Sequence, residues 1–197
     1  MRGLEKNYLK RICTGATFLV FLIFIQGVFS AFASDELYWE EIKTRYTIIG
    51  YQTPEDLIEF NKKINYSPGA SGLGWLTHGS SSRSLEDRLK VKIDAIFQRV
   101  QQILDMRRKI EKVYINLYQN KGQLSEAFKG LYHKECRLRA WYVFEKHTIY
   151  LNLEDLHEGM LAHEMAHAII DHYFAMRPPS ATAEILARYV DSHLFPR

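Results

Sequence analysis

The sequence predicts a mixed α+β domain: a small mixed sheet, a long backing helix, and a helix that is followed by an antiparallel C-terminal partner. Three observations carry that prediction. Short β-branched and aromatic runs recur at 46–51, 112–118, 137–144 and 147–153. One long apolar stripe with alternating steps of four and three spans 84–108. Two helical stretches separated by Pro178-Pro179 close the chain.

Taken in order, residues 34–45 are a short lead-in, and "YTIIGY" at 46–51 has the composition of a strand. In "TPEDLIEFNKKI" Thr53 can cap, Pro54 suits a first helical turn, and Asp56 stands three residues past the cap. Gly and Ser then dominate 65–83, which reads as a long surface loop. Ser84 and Asp87 open the longest helix, with Leu89, Ile93, Ile96, Val100 and Ile103 on one stripe that belongs to a core. "KVYINLY" is a strand and "QLSEAFKGLY" a short helix. "RLRAWYVF" and "HTIYLNL" are close enough to be a hairpin. Asp155 with Glu158 is expected to cap the next helix, which runs to about Phe174, with His157 in its first turn. The last helix restarts at Ser180 or Thr182 and runs to about His193. There are no internal repeats.

The first 33 of the 197 residues have the pattern of a secretory leader. Arg2, Lys6, Lys10 and Arg11 precede an apolar run at 12–29, and Ala31-Phe32-Ala33 is a small-x-small cleavage pattern. Cleavage after Ala33 predicts a secreted or periplasmic protein. An uncleaved leader would instead tether it to a membrane. The leader also accounts for the net charge of +3, because 34–197 holds 22 basic and 22 acidic residues. That balance argues against a nucleic-acid partner. Cys136 alone remains beyond the leader, so 34–197 cannot form an internal disulfide, and its plain role is a small buried side chain. Residues 34–197 suffice for one domain with its own core.

The chemistry concentrates in "AHEMAHAIIDHYFAMRPPSATAEILARYVD", which begins at Ala162. His163 and His167 lie one turn apart, so both imidazoles can reach one ion about 2 Å from each nitrogen. Glu164 points about 100° away from His163 and is not an equivalent ligand. It can stand beside a water on that ion, where a general base for hydrolysis belongs. Met160, Leu161, Ala162, Met165, Ala166, Ala168 and Ile169 are uncharged, and such a buried helix needs a reason to hold three polar side chains. For a third ligand, Asp171 shares the face but sits a third turn along, which suits a supporting or helix-end contact. His172 points about 140° from His167. Glu184, in the opening turns of the next helix, returns to the His167 level if Pro178-Pro179 folds that helix back.

HEMAH with a downstream helical Glu resembles the gluzincin group of zinc peptidases, thermolysin-like in plan, with the likeness covering residues 112–193. Two strands and the active-site helix stand in the same order, and "HAIID" continues the helix in a similar way. The resemblance implies a minimal single-domain zincin fold. It implies Zn²⁺ on His163, His167 and Glu184, a water in the fourth position, and Glu164 as base and proton shuttle. It implies a peptide or protein substrate paired along the edge strand Ala140, Trp141 and Tyr142. There are departures. Where the family has an Asp four residues past the ligand Glu, this chain has Arg188, and Asp191 is the nearest acid on that face. Tyr189, His193, His172 and His147 all stand as candidates to steady an oxyanion. The rival expectation is a non-catalytic binding module on the same fold with a structural metal, for which a fourth protein ligand would be the sign.

Overall fold

The computed structural model describes residues 39–66 and 84–195, which belong to one compact unit. The leader at 1–33 and all but the first two residues of the Gly/Ser loop lie outside the described residues. The elements run β1 (Glu40–Lys43), β2 (Thr47–Tyr51), α1 (Pro54–Lys63), α2 (Leu85–Leu104), β3 (Val113–Tyr118), α3 (Lys121–Tyr132), β4 (Ala140–Val143), β5 (Thr148–Asn152), α4 (Glu158–Tyr173) and α5 (Ser180–His193). A 3₁₀ turn, Phe144–Lys146, closes the β4–β5 hairpin.

The five strands form one mixed sheet in the order β1-β2-β3-β5-β4. The two inner pairings, β2 with β3 and β3 with β5, are parallel, and both edge strands pair antiparallel. Side-chain alternation then sorts the layers. Ile49, Ile115, Leu117, Ile149 and Leu151 face a core shared with α1, α2, α4 and α5. Tyr118, Tyr150, Trp141 and Val143 face the other way, against α3, with Leu124 fully buried there. Cys136 packs into this second cluster as a small buried side chain, matching its plain expectation. The helices are therefore arranged as layers, four of the described five on one face. Among the described residues no helix is long and apolar enough to cross a membrane.

Local chemistry accounts for most boundaries. Thr53 and Asp56 form the reciprocal capping box, with Thr53 N–H donating to Asp56 Oδ2 at 2.8 Å and Asp56 N–H to Thr53 Oγ1 at 3.4 Å. Ser84 accepts from Asp87 N–H at 3.1 Å, and the predicted α2 stripe is buried at Leu89, Ile93, Ile96 and Val100. The same helix ends four residues before the expected Arg108. Asp105 adopts the left-handed conformation, φ 54°, and Met106 N–H turns back onto Gln101 O. Asn120 caps α3 by accepting from Gln123 N–H at 3.0 Å, which starts that helix two residues earlier than predicted. At α4 the cap is His157, whose Nδ1 accepts from Met160 N–H at 3.1 Å. Asp155, expected there, instead accepts from Asn152 Nδ2 at 3.1 Å. β1 lies inside the stretch that the sequence suggests is only a lead-in.

α5 packs back along α4 through Ala183, Ala187 and Val190, all buried. Its first turns meet the histidines of α4, while Asp191 near its end lies against Gly159 at the α4 start, so the two helices are antiparallel. A Cβ on Gly159 would meet the carboxylate of Asp191, so a larger residue there would displace that side chain.

Candidate metal centre

Three donor atoms converge on one point. His163 Nε2 and His167 Nε2 are 3.2 Å apart, and Glu184 Oε2 lies 3.6 Å from the first and 3.4 Å from the second. Ligands about 2.05 Å from a tetrahedral ion are separated by about 3.3 Å, so the triangle has the size zinc requires. His163, His167 and Glu184 are the only group of this kind among the described residues, and no fourth His, Cys, Asp or Glu among those residues joins them. The side chains sit on an open cleft of about 950 Å³, walled by β4 on one side and by the α4–α5 turn on the other.

Protonation suits ligation. Burial and the neighbouring His163 pull His167 below its ordinary value, which favours the neutral imidazole that a cation needs. Glu184 is pulled down, first by its hydrogen bond from Arg188, so it is a carboxylate at neutral pH.

Glu164 is buried beside this triangle rather than in it. Burial first, and the Glu184 charge second, push its carboxyl up to about 8, against a backbone hydrogen bond from Tyr142 that works the other way. This has a measurable consequence in the metal-free protein. The folded carboxyl keeps its proton up to about pH 8, while the unfolded one loses it near 4.5. The folded state thus binds the extra proton, and stability falls as pH rises through that window. Glu164→Gln should flatten the slope between pH 5 and 8. It should also stabilise the metal-free chain at pH 8 by a few kcal/mol, on the order of 1.4 per pKa unit. Urea titrations at both pH values test this.

The edge strand presents its backbone to the cleft. Asn152 N–H donates to Arg139 O, and the antiparallel alternation then makes Trp141–Tyr150 the next hydrogen-bonded pair. The main-chain groups of Ala140 and Tyr142 therefore point away from β5, and both residues line the cleft. Trp141 also lines it, but its indole stacks on Tyr150 at 4.7 Å and 2°, within the cluster on the opposite sheet face.

The other predicted site residues separate. Asp171, almost fully buried, accepts from Arg177 Nη2 at 2.7 Å on the cleft wall, and its charge favours protonated His167. Asp191 lies by Gly159 and lines a small side pocket with His163 and Glu164. Tyr189 and His193 stack on one another at 4.0 Å, exposed, and neither lines the main cleft. His172 Nε2 is 2.6 Å from Tyr142 Oη, and His147 packs against its ring at 4.0 Å. Sequence reasoning named no role for Arg177, whose guanidinium also covers the Phe144 ring at 4.3 Å. Arg188 stood out only as a departure, although a Glu–Arg spacing of four on a helix signals a pair. Its Nε donates to Glu184 Oε1 at 2.7 Å.

No protein-family model matches this chain, and no curated protein or solved structure does either.

Proposed function

We propose that this chain is a zinc-dependent peptidase that hydrolyses peptide bonds with Glu164 as general base. The observation that carries the proposal is the triangle of His163, His167 and Glu184 donors, with edges of 3.2 to 3.6 Å and the buried Glu164 lining the same cleft. When bound there, zinc would polarise a scissile carbonyl and make water acidic enough to attack at neutral pH. Glu164 would take the proton of the attacking water and return it to the leaving amine. In the metal-free chain its carboxyl keeps its proton up to about pH 8; it would be drawn down by a bound cation to the carboxylate that a base needs, and the backbone bond from Tyr142 works in the same direction. Ala140 would offer an extended peptide its outward N–H and C=O, and Tyr142 its outward C=O, the Tyr142 N–H being held by Glu164, which orients the scissile bond along the cleft.

Among the described residues three His and Glu donors converge and no fourth His, Cys, Asp or Glu joins them, which favours catalysis over a purely structural metal. The test is a peptide-library digest by the purified chain, with and without a chelator, alongside bound-metal analysis. Cleavage that stops with chelator and returns with zinc is the expected result. Unchanged cleavage in chelator, or none with zinc loaded, contradicts the proposal. Export through the 1–33 leader belongs to the same proposal. N-terminal sequencing of the exported product should begin at Ser34, and a start at Met1 would replace secretion with membrane tethering.

A further inference from the structure

We infer that Arg188 is a positioning residue for the ligand Glu184: it holds one carboxylate oxygen so that only the other meets the cation. Arg188 has this role only if the zinc reading above holds. The two oxygens of Glu184 are divided between different partners. Oε1 accepts from Arg188 Nε at 2.7 Å, while Oε2 faces His163 Nε2 and His167 Nε2 at 3.6 and 3.4 Å. Unrestrained, a carboxylate can give a cation both oxygens and fill two coordination positions. With Oε1 engaged by a guanidinium that never loses its proton, Glu184 supplies one oxygen, and the position facing the cleft stays open for water or substrate.

The contact is built into α5. Residues 184 and 188 are one turn apart on the same helix, and α5 is fixed against α4 through Ala183, Ala187 and Val190, so the carboxylate is steered by a group on its own rigid element. An ordinary exposed ion pair at this spacing contributes little to the helix and is indifferent to metal. The division of the two oxygens is what distinguishes a steering contact from such a pair. Arg188 is 75% exposed at its side chain, so replacing it removes the hydrogen bond without opening the core.

The experiment uses the full chain, its Arg188→Ala and Arg188→Lys variants, zinc affinity by competition with a chromophoric chelator, and visible absorption after Co²⁺ substitution. Loss of a group that orients a metal ligand costs about 10–100-fold in metal affinity, so Arg188→Ala should bind zinc at least about tenfold more weakly. Its Co²⁺ spectrum should lose the intense bands of four-coordinate cobalt for the weak bands of higher coordination. Because the contact is a single hydrogen bond, Arg188→Lys should restore most of both. The metal-free melting temperature of Arg188→Ala should stay within a few degrees of the parent, as for an exposed ion pair. An Arg188→Ala variant with the parent's zinc affinity, or with the parent's cobalt spectrum, overturns the inference and leaves the peptidase proposal standing. A parent chain that takes up no zinc overturns both.

Discussion

Glu164→Gln is expected to lower kcat/KM on a cleaved peptide by about 10²–10⁴-fold, the usual contribution of a positioned general base, while zinc content stays at the parent level. The separation of the two readouts follows from geometry. Glu164 is not one of the three converging donors, so its replacement leaves the triangle intact. Gln is nearly the same size and can still accept from Tyr142 N–H, so the buried position is filled. What it cannot do is accept and return a proton. The metal-free variant should also be more stable than the parent at pH 8, which removes misfolding as an explanation for lost activity. A Glu164→Gln chain that cleaves as fast as the parent would remove the base assignment.

His163→Ala and His167→Ala are expected to abolish both zinc binding and zinc-dependent hydrolysis. Each removes one of three donors and leaves two, too few to hold the ion against water. The loss should also appear in stability. A ligand that binds only the folded state stabilises it by about 4 kcal/mol at a thousand times its Kd, or roughly 10 °C in Tm for a domain of this size. Zinc should raise the melting temperature of the parent by that order and leave both variants unmoved. Retention of the zinc-induced shift in either variant would place the ion elsewhere.

The parts of this protein that were legible in its sequence are those written in local chemistry. Thr53, Pro54 and Asp56 specify the start of α1 within four residues, and the α2 stripe specifies its buried face. The His163–His167 spacing is equally local. Glu184 required one tertiary step, the reversal at Pro178-Pro179, and that step could be read from a turn signal.

Long-range pairing was not legible. β1 reads "EEIK" with only Ile42 directed inward, so it is a strand because β2 hydrogen-bonds to it, not because of its composition. The parallel β2–β3 and β3–β5 pairings depend on how the intervening helices pack, and no residue announces them. The α2 end was overestimated because Leu104 extends the apolar run, whereas Asp105 stops the helix by taking a left-handed conformation that Asp tolerates. Cap competition hid the start of α4: Asp155 is diverted to Asn152, and the imidazole of His157 takes the orphan N–H of Met160. In the site, the bond between Tyr142 and His172 joins an edge strand to a helix end across thirty residues. Arg177 reaches both Asp171 and the Phe144 ring only after the α4–α5 turn has formed.

Zinc titration of the dialysed full-length chain against its Glu184→Ala variant is the most direct test of the shared triangle. The expected result is tight uptake of about one zinc per parent chain and binding weakened at least about 100-fold in the variant. A parent that takes up no zinc, or a Glu184→Ala chain that binds it as tightly as the parent, would contradict the account.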